Sequence, residues 1–427
     1  LSIPVRQASA LPSYARQTGQ QCAACHNGFP ELTPYGRLFK LNGYTFTGGS
    51  SDLPPVAAMV VTSFTHTQAG QQGGAAPGYG ANNNFALDAV SLFYGGRIAP
   101  NVGAFIQATY DGIGKRASWD NTDIRYADTG TLWDAELLYG VSLNNNPTVT
   151  DVWNSTPAWG YPWLTSGLAP TPAAATLIEG GLAAEALGTN AYVYWNRLIY
   201  LEAGVYKTLS PRTLTTLGTD PTGSSSLKGV APYWRLAVEP KWGRNSFEAG
   251  LFGMAATLNP GRITGFGTDH AVDVGIDTQY QFLADRDSAS FQASWITENQ
   301  TLTASQALGN SSNSHDHLRS LHAKATYFRD QTYGLTVGYF RVDGSTDADL
   351  YGDGSAANSP NSAGWITELD YIPFNHGGPA FWPWMNMKLG LQYIAYQKFD
   401  GGTSNYDGAG HSAQDANTLY LFAWVAF

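Results

Sequence analysis

The sequence predicts an all-β fold, a 16-stranded antiparallel transmembrane β-barrel preceded by a short, partly helical N-terminal segment. Three observations predict it. Charged residues make up only 13% of the 427, about half the usual share of a soluble protein, while aromatics also reach 13%. Mean hydropathy is nonetheless slightly negative, at −0.21, so apolar residues must alternate with polar ones. Finally, the alternating runs are joined by short turns and long Gly/Ser/Asn/Asp-rich loops in turn, the arrangement of an outer-membrane barrel.

Other classes are excluded on composition. No stretch approaches the roughly 18 consecutive apolar residues of a membrane helix. With 13 Trp, 24 Tyr and 19 Phe the chain has too much apolar bulk for disorder. A net charge of −10 argues against nucleic acid as a partner. A soluble propeller would show a blade repeat of about 40–45 residues, which is not found. The chain starts Leu1-Ser2-Ile3-Pro4 without Met and reads as a mature, processed form.

Residues 1–54 form the first unit. They carry the basic residues Arg6, Arg16, Arg37 and Lys40 and end in the turn-rich Gly48-Gly49-Ser50-Ser51-Asp52. A short helix is predicted around Leu32–Leu41, with Thr33 as cap and Pro34 at its first position. The chain's two cysteines both lie here, in Cys22-Ala23-Ala24-Cys25-His26. This is the spacing of c-type haem attachment, in which both thiols add to the porphyrin vinyl groups and the adjacent His26 ligates the iron. A zinc site would want further Cys or His at short spacing, and a thioredoxin-like motif a βαβ context; neither is present. Haem c is therefore the expected cofactor, and residues 1–54 the expected c-type haem plug.

Residues 55–427 form the barrel. Period-two runs are read at Val56–Thr67, Phe85–Ile98, Val102–Tyr110, Leu132–Leu143, Ala191–Trp195, Leu198–Leu209, Tyr233–Val238 and Phe247–Leu258. Ala271–Phe282, Phe291–Thr297, Leu318–Phe328, Tyr333–Val342, Trp365–Ile372, Met385–Phe399 and Thr418–Phe427 follow, and Val149–Trp153 brings the total to 16. Short turns are read at Pro100-Asn101, Asn144–Pro147, Asn196-Arg197, Pro240–Arg244, Ala284–Asp287 and Arg329–Gln331. Long loops are read at Ala69–Asn84, Gly112–Thr131, Ser210–Val230, Asn299–Asp316, Asp343–Ala363 and Asp400–Ala416. In the last run Leu419, Leu421, Ala423, Val425 and Phe427 share one face, and the chain ends on an aromatic. The Pro- and Trp-rich stretch 144–162 suits an inward-folded constriction or a loop supporting the plug.

Residues 1–54 hold no Met and no His besides His26, so a protein sixth ligand would come from the barrel or from a weaker donor. Met59 is the nearest candidate, because it shares the lumenal face of its strand with Ser63, Thr65 and Thr67. His/Met ligation would raise the haem potential. His66 lies on the opposite face, and His322, inward with Ser320 and Lys324, ranks third; Met254, Met385 and Met387 have nothing to single them out.

Tyr14-Ala15-Arg16-Gln17-Thr18-Gly19, then Cys22–His26, Phe29-Pro30-Glu31-Leu32, Gly36-Arg37-Leu38-Phe39-Lys40 and Gly43-Tyr44, resembles the fused outer-membrane cytochrome–porins, monohaem segments joined to a barrel and associated with iron-oxidising bacteria. The resemblance covers about the first 45 residues. It implies haem on Cys22 and Cys25, His26 as proximal ligand and extracellular ferrous iron as donor. Electrons would then pass to a periplasmic electron carrier. Ferrous oxidation is a one-electron, outer-sphere step that needs no general base. The Asp-rich stretches (Asp111, Asp120, Asp123, Asp128; Asp343, Asp347, Asp349, Asp353) offer hard oxygen donors, or solvated surface that meets lipopolysaccharide through bridging cations. The competing expectation is a diffusion porin whose haem plug is structural or sensory.

Overall fold

The computed structural model describes residues 11–49 and 53–427. Arg6 and Ser50-Ser51-Asp52 lie outside the described residues. Sixteen antiparallel strands close into a barrel: β1 (Val56–Thr67), β2 (Asn84–Ala99), β3 (Val102–Asp111), β4 (Arg116–Leu132), β5 (Ala135–Asn144), β6 (Ala186–Trp195), β7 (Ile199–Thr208) and β8 (Ala231–Val238). The second half comprises β9 (Asn245–Asn259), β10 (Asp269–Leu283), β11 (Asp287–Thr301), β12 (His315–Arg329), β13 (Tyr333–Gly344), β14 (Ser362–Tyr371), β15 (Asn386–Lys398) and β16 (Thr418–Ala426). The two-residue segments Ser226–Leu227 and Lys241–Trp242 only extend hairpins. β16 pairs with β1 from Met59↔Ala426 to Thr67↔Thr418, so the sheet has no edge.

The wall follows the pleat. On β1, Ala57, Met59, Val61, Ser63, Thr65 and Thr67 are buried toward the lumen, while the residues between them face out. Around the wall Leu92, Val274, Ile276, Trp295 and Leu369 are exposed outward. A wall that is apolar outside and hydrogen-bonded throughout satisfies what a bilayer demands of a spanning sheet. No described helix is long and apolar enough to cross a membrane.

The strand count agrees with the prediction, but three readings are corrected. Gly112–Thr131 is not a loop: most of it belongs to β4, paired with β3 and β5. Its inward side chains include Asp123 and Arg125, which neutralise each other at 2.8 Å inside the lumen, so the strand lacks the apolar alternation that marks its neighbours. Conversely, Val149–Trp153 is not a strand. It is a set of turns, Val149 N–H to Asn146 O at 3.0 Å and Asp151 N–H to Thr148 O at 3.0 Å, buried inside the barrel. Val149 packs with Leu11 and Phe29 of the N-terminal segment, while Val152 and Trp153 pack between Leu41 and the lumenal wall at Tyr192 and Tyr200. Asn144–Pro147 likewise opens a long inward segment, residues 145–185, instead of a short turn.

At the end where the chain enters β1 and leaves β16, most turns are tight. Trp133-Asp134, Asn196-Arg197 and Asp330-Gln331 all take positive φ, as two-residue hairpins require. The exception at this short-turn end is residues 372–385, between β14 and β15.

Inside lie α1 (Pro12–Thr18), α2 (Cys22–Cys25) and α3 (Pro34–Leu41). The Thr33 side chain caps α3 by accepting from Gly36 N–H at 3.3 Å, and Pro34 opens it, as predicted. Much of the inward segment 145–185 is buried inside the barrel beside them.

Candidate functional site

Cys22 and Cys25 occupy the single turn of α2, and His26 follows with its amide bonded to Cys22 O at 2.9 Å. The turn is fixed from both sides. Thr33 N–H donates to Cys25 O at 2.9 Å and Thr33 Oγ1 to Ala24 O at 2.6 Å, while Ala23 N–H donates to Asn375 O at 2.9 Å. α3 crosses so closely that a Cβ on Gly36 would lie 2.3 Å from Cys25 O, so only glycine fits there.

His26 is buried, and its Nδ1 sits 2.8 Å from Pro30 O. With Nδ1–H donating to that carbonyl, Nε2 carries the lone pair. Burial pushes the imidazole down to about 4, so it is neutral at physiological pH, the state a metal ligand needs. Burial raises the thiols instead, Cys22 to about 11 and Cys25 to about 12. A redox-active Cys-X-X-Cys pair requires the opposite shift. Among the described residues no three His, Cys, Asp or Glu side chains gather as metal ligands, so neither the zinc reading nor the Asp-rich stretches find a site here.

All three motif residues line one cavity, partly open to solvent, together with Tyr14, Phe39 and Trp159. Two adjacent cysteines, a neutral oriented imidazole and aromatic walls are the features a covalently tethered haem requires, so the residues present fit the group.

Met59 does face the lumen, but it does not line this cavity. It is fully buried in an apolar cluster with Phe29 and Trp424, and the Phe29 ring packs edge-on against His26 at 5.8 Å. His66 faces outward and meets Asn83 Oδ1 at 2.8 Å. His322 is inward and half-buried, with Nε2 3.3 Å from Glu179 Oε1. Met254 is buried among Tyr233, Phe252 and Ile178, whereas Met385 and Met387 are partly buried.

The cavity's far side is built by Lys40 and by the Pro- and Trp-rich stretch 144–162, which folds inward as its composition suggests. Lys40 Nζ donates to Val149 O and Asp151 O, both at 2.7 Å, and stands 4.6 Å over the Trp159 ring. Burial, with Arg125 nearby, brings its amine down to about 7. Asn154 Oδ1 accepts from Leu32 N–H at 2.9 Å. The inward segment therefore closes over the motif.

Buried charges anchor the N-terminal segment to the wall. Arg37 meets Glu239 at 2.9 Å and also donates to Gln279, Gln281 and Ser246. Glu31 meets Lys324 at 2.8 Å and accepts from Gln281 and Ser290. Burial alone would raise the Glu31 carboxyl; Lys324 and these donors hold it below the ordinary range. Tyr44 O–H donates to Asp123 at 2.6 Å. The segment is thus bonded to the lumen of β4, β9, β10, β11 and β12.

No protein-family model matches the chain, and no curated protein matches it. Among solved structures it is similar to the outer membrane channel DcaP of Acinetobacter baumannii, at 13% identity and TM-score 0.48, over 89% of this chain and 99% of that one. It is also similar to OprB of Pseudomonas putida (12% identity, TM-score 0.48, 87% and 93% of the two chains). An anion-selective porin from Comamonas acidovorans matches at 10% identity and TM-score 0.45, over 87% and 98%. These likenesses are too distant to speak for substrate or cofactor, and the sixteen-stranded closed barrel rests on the strand pairing itself.

Proposed function

We propose that this chain is an outer-membrane electron conduit, in which a haem held by Cys22, Cys25 and His26 takes electrons from an extracellular donor, ferrous iron, and passes them to a periplasmic electron carrier. The observation that carries the reading is the convergence of both thiols and a neutral, pre-oriented imidazole on one cavity inside the barrel. When bound, the haem supplies one-electron storage between the two faces of the membrane.

The chain's own residues do the rest. Cys22 and Cys25 tether, and His26 ligates through Nε2 while Pro30 O fixes the ring. Trp159, Phe39 and Tyr14 exclude water. The Arg37–Glu239 and Lys324–Glu31 pairs keep the segment seated. With the long loops outside, as in bacterial barrels, the motif lies toward the periplasmic end, where it meets residues 372–385.

A diffusion porin with a structural or sensory haem plug is the second reading. It is favoured by the closed sixteen-stranded wall with one loop folded inward, since barrels of this strand number commonly leave an aqueous channel. One experiment separates the two. Protein purified in detergent is checked for a c-type haem that survives denaturing electrophoresis, its reduction by Fe(II) is followed by stopped flow, and conductance is recorded in planar bilayers. The conduit reading expects covalent haem, reduction by Fe(II) and little ion current. Free passage of ions, or protein matured in a haem-competent host without haem, contradicts it.

A further inference from the structure

At the short-turn end of the barrel, residues 372–385 form its one long connection, and they contain no Asp, Glu, Lys or Arg. The inner half of this loop is bonded to the haem motif. Besides the Asn375 contact to Ala23, the Asn386 side chain that follows the loop donates to Asn375 Oδ1 at 3.2 Å. The Arg16 guanidinium lies 5.8 Å from the Trp384 ring centroid. The outer half is apolar and open. Phe381 is 82% exposed, Ala380 and Pro383 are exposed, and Trp382 packs edge-on against Trp384 at 5.5 Å. Backbone bonds from Gly378 N–H to Pro383 O and from Trp382 N–H to Pro379 O, both 2.8 Å, hold the tip in shape.

We infer that the Pro379–Met385 tip is the docking surface for the periplasmic electron carrier, a soluble redox protein that presents an uncharged apolar patch around its metal centre. The inference rests on the proposed function, and it names where the electron leaves. Two observations choose the occupant. The Ala23–Asn375 bond and the approach of Arg16 to Trp384 place the loop over the contents of the lumen, at the motif, instead of against the lipid-facing wall. On the turns to one side of the loop the charges are already paired, Arg329 with Asp287 at 2.7 Å, Arg286 with Asp330 at 3.4 Å and Arg244 with Asp285 at 3.2 Å. The surface therefore offers apolar contact with a neutralised rim on that side, which suits the small, transient interfaces of electron-transfer pairs. Docking that does not use charge is insensitive to salt.

The test uses the full haem-loaded protein in detergent, reduced and mixed by stopped flow with an oxidised blue-copper cupredoxin. One electron moves from ferrous haem iron to Cu(II), giving ferric iron and Cu(I), with no bond made and no proton moved. Phe381→Ser is expected to lower the bimolecular rate about tenfold, the loss of a central aromatic anchor. Its haem spectrum and its rate with ferricyanide should be unchanged, and the wild-type rate should vary little with ionic strength. Trp133→Ser, an 80% exposed aromatic elsewhere on the same rim, should have no effect. Equal rates for Phe381→Ser and wild type overturn the inference, as does an equal loss in both variants, which would mark a lipid girdle. Wild-type protein that reduces ferricyanide but not the cupredoxin overturns it too. In each of these cases the haem reading stands; a wild-type protein without haem removes both.

Discussion

On the outer face of the barrel, Leu92, Val274, Trp295 and Leu369 stand exposed and need only be apolar. On the inner face, Arg37, Lys324, Arg235 and Lys388 are buried against carboxylates, Arg235 against Asp151, Glu248 and Asp277 together and Lys388 against Glu368 and Asp370. The outer face is specified by a pattern that many residues satisfy. The lumen is specified by pairs and clusters, where removing one member strands a charge away from water. Change should therefore be cheap outside and costly inside, and the largest costs should fall nearest the haem motif.

The greatest effect is expected at the motif itself. His26→Ala should abolish normal haem ligation; a retained low-spin absorption spectrum would count against the site. Next come the pairs that seat the segment. Lys324→Ala leaves Glu31 buried without its cation, a loss of about 3–5 kcal/mol for such a pair. It should appear as a rise in bilayer conductance as the segment loosens, whereas Ile276→Val on the outer face should change stability by under about 0.5 kcal/mol in denaturant titrations. Conductance equal in the two variants would erase the contrast between the faces.

A pH effect is expected at the long-loop end. Burial alone would raise the Asp347 carboxyl, but it accepts from the Ser311 hydroxyl at 2.6 Å and from the Ser312, Asn313 and Leu350 amides at 2.9–3.0 Å, and so falls to about 2. A folded-state value below the ordinary 3.8 means that this bond set stabilises the loops above about pH 4. Its contribution is lost as pH drops through 2, so amide exchange at Ser312, Asn313 and Leu350 should speed up over that window and not before it. The smallest effect is expected at Met59: because it does not line the cavity, Met59→Leu should leave the haem spectrum unaltered. A switch to high-spin iron would restore it as a ligand.

What could be read from the sequence follows the same division. Strands whose outward half meets lipid show the period-two signal, and most were legible within a few residues. β4 was not, because its lumenal side carries Asp123 and Arg125 and its polarity reads as a loop. Val149–Trp153 misled in the opposite sense, its apolar residues packing on the N-terminal segment and the lumenal wall. The two errors cancel in the count of sixteen. Cys22, Cys25 and His26 are adjacent in sequence, so their meeting was legible. The Pro- and Trp-rich composition of 144–162 marked it as inward-folded, but that Asp151, Asn154 and Trp159 within it meet the motif is encoded by no local spacing.

The most direct measurement encloses ferricyanide within vesicles carrying the protein and supplies Fe(II) outside. Haem-loaded wild type should bleach the internal acceptor while the vesicles still hold back ions, and the double variant Cys22→Ser/Cys25→Ser should not bleach it. Wild-type vesicles that fail to bleach, or that bleach only because they leak, would contradict the account.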